Sequence, residues 1–122
     1  MHKILVVDDE VRIVDLLQEF LVRMGFEVIK AYGGEEAIRV LRSDVMIDLL
    51  VVDMKMPKIT GLEVIKEMVN INRKIPAIIL TGSIDAEKYL INLKELGYGG
   101  VDIVHKPVDL FALLDAVKNR LK

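Results

Sequence analysis

Lys3-Ile4-Leu5-Val6-Val7-Asp8-Asp9, two residues into the chain, is a short, nearly unbroken apolar run that stops on two carboxylates. Runs of the same kind return at Glu27 to Ala31, Leu49 to Asp53, Ala77 to Thr81 and Asp102 to His105. They alternate with longer segments of helical period, at roughly Val11 to Met24, Glu35 to Ser43, Leu62 to Asn72, Asp85 to Leu96 and Asp109 to Leu121. Near-continuous apolar strands alternating with helices are the pattern of βαβ units and of a parallel sheet covered on both faces. In the last segment Leu110, Leu113, Leu114, Val117 and Leu121 recur at three- and four-residue steps to form one stripe, with Asp109 placed as its N-cap. Gly25, Gly33-Gly34, Gly61 and the stretch from Gly97 to Gly100 fall between elements.

A chain of 122 residues fits one domain and buries a core without disulfides or a structural metal. With 52% hydrophobic and only 5% aromatic residues, that core is mostly aliphatic. Lys and Arg number 17 against 19 Asp and Glu, with no dense basic run, which argues against direct binding to nucleic acid or an anionic membrane. The absence of cysteine excludes a disulfide framework, a thiolate metal site and a cysteine nucleophile. The N-terminus reaches Asp8-Asp9 too soon to hold a signal-peptide core, and no later stretch approaches a membrane span, so a cytoplasmic location is expected.

In an open α/β sheet, ligands bind beyond the carboxyl ends of the strands, near the point where strand order reverses. Here the first strand runs into Asp8-Asp9, the third ends in Asp53, the fourth ends in Thr81, and the fifth is followed by Lys106-Pro107. Three carboxylates on one rim repel one another, which calls for a partner that offsets their charge. Magnesium is the natural partner, because it takes oxygen ligands and leaves positions for phosphate oxygens, whereas no His or Cys cluster offers itself to zinc. Lys106 and Thr81 add a fixed positive charge and a hydroxyl donor, both suited to a phosphoryl group.

The motifs Ile4-Leu5-Val6-Val7-Asp8-Asp9-Glu10, Asp53-Met54-Lys55-Met56-Pro57 with Gly61 following, Leu80-Thr81-Gly82 and Lys106-Pro107 resemble, in order and spacing, the receiver domains of two-component response regulators. The resemblance runs the length of the chain and implies a single receiver domain over residues 1–122. The fold it implies is flavodoxin-like, a doubly wound five-stranded parallel sheet of order 2-1-3-4-5 with five helices. It also implies that Asp8, Asp9, Asp53 and the backbone carbonyl of Lys55 hold Mg2+. By the same resemblance Asp53 takes a phosphoryl group from a sensor histidine kinase or phosphotransfer protein, and Thr81 and Lys106 bind that group. The family's cis Lys-Pro bond gives Pro107 a structural part in orienting Lys106. The output surface would be the face of the fourth helix, fifth strand and fifth helix, directed at an output domain or protein. Whether phosphorylation brings about a dimer stays open. The chain departs from the family at Ile103, where a switch Tyr or Phe usually stands.

Each residue alone has a plainer reading, as a turn, a helix cap or a solvated charge, and the functional reading rests on their joint placement. A haloacid-dehalogenase-type phosphatase, the enzymatic rival, wants a second Asp two positions after the nucleophile, where this chain has Lys55. A nucleotide-binding domain wants a glycine-rich loop after a strand, but Gly97-Tyr98-Gly99-Gly100 precedes one. A pseudo-receiver would lack acidic positions that are intact here. A signalling phosphoacceptor rather than an enzyme is therefore expected. His2 and His105 have no visible ligand companions and are taken as ordinary residues.

Overall fold

The computed structural model describes residues 1–82 and 87–122. Its strands are β1 (Lys3–Val7), β2 (Glu27–Ala31), β3 (Leu49–Asp53), β4 (Ala77–Thr81) and β5 (Asp102–His105). They form one parallel sheet of order β2-β1-β3-β4-β5, the doubly wound arrangement expected from the sequence. The helices are α1 (Val11–Arg23), α2 (Gly34–Arg42), α3 (Gly61–Asn70), α4 (Glu87–Glu95) and α5 (Leu110–Arg120).

The inner strands β1, β3 and β4 are apolar along most of their length because successive side chains face opposite, covered sides of the sheet, whereas the edge strands β2 and β5 carry Glu27, Lys30 and His105 exposed. Leu5, Val7, Leu50 and Val52 pack with Leu41 of α2, Ile65 and Met68 of α3 and Leu93 of α4. The alternate residues Ile4, Val6, Leu49 and Val51 pack with Leu17 and Leu21 of α1 and Leu113 and Val117 of α5. β3 and β4 are buried at every position.

Every strand limit agrees with the sequence reading, while helix ends differ by one or two residues where local caps decide them. α1 stops at Arg23, one residue short, before Gly25 turns the chain at φ 96°. α2 runs from Gly34 to Arg42 rather than from Glu35 to Ser43, and Ser43 is already extended. α3 starts at Gly61 because Thr60 and Glu63 form a reciprocal capping box, and Asn72 at φ 59° lies past its end. Asp109 does cap α5, accepting from the amides of Phe111 and Ala112. The expected start of α4 at Asp85, and Ser83 before it, lie outside the described residues.

Two clamps tie loops at the pole away from the strand carboxyl ends. The Arg73 guanidinium donates to the carbonyls of Leu41, Ser43 and Val45, which are the last groups of α2 and the loop after it. The buried Tyr98 hydroxyl donates to the Ile75 carbonyl at 2.7 Å, joining the loop after α4 to the start of β4. No helix among the described residues is long and apolar enough to cross a membrane.

Candidate functional site

Parallel pairing brings the strand ends to one rim. β1 and β3 are neighbours, with Val7 opposite Val52, so Asp8 just past β1 stands beside Asp53 at the end of β3. Thr81 ends β4 and is buried, and its carbonyl accepts from the Lys106 amide at 2.8 Å, which holds Lys106 immediately beyond β5. From there the four-carbon stem of Lys106 carries the ammonium to Asp8 Oδ2 at 2.8 Å and Asp53 Oδ2 at 3.3 Å. The same ammonium reaches Glu10 Oε1 at 3.2 Å.

Asp8 is fully buried and Asp53 nearly so, whereas Asp9 is exposed at the mouth. Carboxylate oxygens of the three lie within 4.8 Å of one another. Asp8 Oδ1 accepts from the Glu10 amide at 3.0 Å, and Asp53 Oδ1 takes a long 3.4 Å bond from the Lys55 amide. Asp8 Oδ2 receives no properly directed hydrogen bond, although the ammonium is in ion-pair contact with it.

Burial pushes the Asp53 carboxyl up to about 6, with the charge of Asp8 adding to the effect and Lys106 opposing it. Asp8 is raised too, by burial, against the pull of Lys106 and the Glu10 amide. For Lys106 burial disfavours the charge, yet the contacts with Asp8, Asp53 and Glu10 outweigh it and hold the ammonium above its ordinary range. Carboxyls that resist ionising beside an amine that resists neutralising mean that one lysine does not balance this much negative charge. The oxygen-only donor set, with the buried Asp8 Oδ2 held only by the shared Lys106 ammonium among the described residues, fits a hard divalent cation such as magnesium.

Asp8, Asp9, Asp53 and Lys106 thus converge as expected, with Thr81 and the exposed Lys55 on the same rim. The Lys106–Pro107 bond is cis. Ile103 stands apart, inside β5 opposite Ile79 and half-buried against the core layer that includes Leu93 of α4. His2 and His105 are exposed and outside the site. Two contributors were missed in the sequence. Glu10 and Gly61 both belong to the motifs that carry the resemblance, but the sequence assigns neither of them a role at the site. Gly61 donates its amide to the Met54 carbonyl at 3.0 Å and packs on the Asp53 backbone so closely that no side chain fits.

A doubly wound sheet whose strand ends gather carboxylates around one lysine defines an α/β domain with a charged ligand site at the carboxyl rim of its sheet. The chain belongs to the response regulator receiver domain family, whose model matches residues 4–118, and so to two-component signalling. It is 35% identical over 120 residues to response regulator GtcR of Aneurinibacillus migulanus, covering 98% of this chain and 47% of that protein. It is likewise 35% identical over 121 residues to response regulator SaeR of Staphylococcus aureus, covering 99% of this chain and 51% of that one. The chain therefore spans about half the length of the curated relatives it matches. Among solved structures, a receiver domain protein from Clostridium thermocellum matches with a TM-score of 0.87 and 34% identity, over 99% of this chain and 94% of that one. Response regulator TrrA from Thermotoga maritima, in complex with Mg2+-BeF, matches with a TM-score of 0.84 and 34% identity, over 99% of this chain and 100% of that one.

Proposed function

We propose that residues 1–122 form one receiver domain in which Asp53 is the phosphoryl acceptor. The donor is a phosphohistidine on a sensor histidine kinase or phosphotransfer protein. A carboxylate oxygen of Asp53 forms the new P–O bond as the P–N bond breaks, and the donor imidazole leaves with that electron pair. Asp8, Asp9, Asp53 and the Lys55 carbonyl would hold Mg2+, which supplies neutralising charge to the phosphoryl oxygens and lowers the cost of ionising Asp53. Lys106 contributes the second positive charge, and Thr81 the hydroxyl that meets the phosphoryl group once it is attached.

The observation that carries this reading is the Lys106 ammonium 3.3 Å from Asp53 Oδ2, inside a cluster of three carboxylates. The domain acts as a signalling acceptor rather than as an enzyme on a separate substrate, and works in the cytoplasm. Its state passes to an output domain or protein through the face of α4, β5 and α5. The Mg-BeF complex of TrrA supports the choice of cation.

Incubation with acetyl phosphate and magnesium tests the assignment. Asp53→Asn should abolish hydroxylamine-sensitive phosphorylation while the domain still folds, because an amide is not a competent nucleophile. Lys106→Ala should still bind magnesium but fail in transfer or in its conformational consequence. Phosphate located by mass spectrometry on any residue other than Asp53 would sink the proposal.

A further inference from the structure

Three carboxylates share the Lys106 ammonium, and Glu10 is the one outside the group of Asp8, Asp9 and Asp53. Its contact with the ammonium has hydrogen-bond geometry at 3.2 Å, beside the shorter 2.8 Å contact with Asp8 Oδ2. Glu10 occupies the N-cap position of α1, where its side chain makes no capping bond and turns to Lys106 instead. Its backbone is held on both sides. The amide donates to Asp8 Oδ1, and the carbonyl accepts from Ile13 and Val14 at 3.0 and 3.2 Å. The side chain stays 60% exposed, so it meets the ammonium from the solvent side of the pocket.

We propose that Glu10 is a positioning residue that holds Lys106 when a divalent cation takes the buried aspartates, an inference that rests on the phosphoacceptor reading above. A cation among Asp8, Asp9 and Asp53 competes for the two oxygens that Lys106 now contacts and repels the ammonium as a like charge. Glu10 offers the lysine a partner that the cation does not need. Without it, the alternatives left to the ammonium are the cation's own ligands or water. Glu10 therefore eases cation binding by retaining Lys106 at the pocket mouth, within reach of the phosphoryl oxygens.

A magnesium titration followed by the amide shifts of Asp8, Asp9 and Asp53 tests this in wild type, Glu10→Gln, Lys106→Ala and the double variant. Glu27→Gln, an exposed carboxylate at the start of β2, controls for the loss of one negative charge. Glu10→Gln should raise the magnesium Kd about two- to fivefold, the range of an exposed ion pair, and Glu27→Gln should leave it unchanged. In the Lys106→Ala background the Glu10 substitution should have no effect, because the residue acts through the lysine. In metal-free protein, Glu10→Gln should also speed hydrogen exchange of the Lys106 ammonium, a readout independent of the cation. Equal weakening in both backgrounds would make Glu10 a simple source of charge and overturn the proposal, as would no weakening at all. A wild-type domain that binds no magnesium would overturn the phosphoacceptor reading itself, which is a different pattern.

Discussion

A β-carbon on Gly61 would lie 2.3 Å from the Asp53 carbonyl oxygen and 2.9 Å from the Met54 α-carbon, so the first turn of α3 rests directly on the backbone that carries the acceptor. Real β-carbons do not approach that closely, and backbone has no flexible end to swing aside. Gly61→Ala should therefore push α3 off β3, cost about 1–3 kcal/mol as overpacking does, and displace Asp53 from Lys106. The urea unfolding midpoint and the rate of acetyl phosphate labelling should both fall. A variant with wild-type values in both would show that this contact does not position Asp53.

Magnesium should stabilise the domain, because it relieves carboxylate repulsion that exists only when the chain is folded. At a hundredfold excess over its Kd the gain is about 2.7 kcal/mol. Asp9→Asn should weaken this gain while leaving the metal-free domain at least as stable as wild type, since it removes one of the repelling charges. Thermal melts with millimolar magnesium and then with a chelator measure both effects. A melt that ignores magnesium, together with an Asp9→Asn variant that is clearly destabilised, counts against the site.

Burial pushes the Tyr98 phenol up to about 12. An unfolded tyrosine titrates near ~10, so the fold holds this proton more tightly than the unfolded chain does. The resulting stability is fully present below pH ~10 and is lost as pH rises through about 12. Ionisation also removes the hydrogen donated to the Ile75 carbonyl. Tyr98→Phe should cost about 1 kcal/mol at neutral pH through that hydrogen bond, yet lose less stability than wild type across the alkaline window. Urea unfolding as a function of pH gives the comparison. An ultraviolet titration of a Tyr32→Phe, Tyr89→Phe protein isolates the Tyr98 phenol, and titration near ~10 would contradict its burial.

Ile103 lies in β5 against the layer that includes Leu93 of α4, while Thr81 is tied by its carbonyl to the Lys106 amide. An isoleucine is stiff at χ1 and carries no hydroxyl, so Ile103 should not report the phosphoryl state as a switch tyrosine would. Activation should therefore pass through Thr81 and its loop to α4. Thr81→Ala should abolish the amide shifts that beryllofluoride induces across α4, and Ile103→Val should preserve them at a stability cost of about 0.5–1.5 kcal/mol. The opposite pattern, shifts lost in Ile103→Val and kept in Thr81→Ala, would reject this route.

All five strands were legible in the sequence to the residue: β3 and β4, buried on both faces, are apolar almost to their ends, and the edge strands β2 and β5 keep short apolar centres between polar residues. Asp8, Asp9, Asp53, Thr81 and Lys106 were legible for a related reason, since polar residues at the carboxyl ends of apolar parallel strands face the rim where such sheets bind ligands. Helix ends were less legible. The start of α3 depends on the reciprocal bonds of Thr60 and Glu63, and the end of α2 on the extended backbone of Ser43. The contacts made by Gly61, Tyr98 and Glu10 were decided only by packing. Gly61 is needed because α3 presses on β3, and Tyr98 is buried because its loop closes over Ile75. Glu10 meets a lysine 96 residues away, across a sheet whose strand order no local window of sequence contains. Such contacts join elements distant along the chain, so they exist only once the parallel sheet has brought its strand ends together.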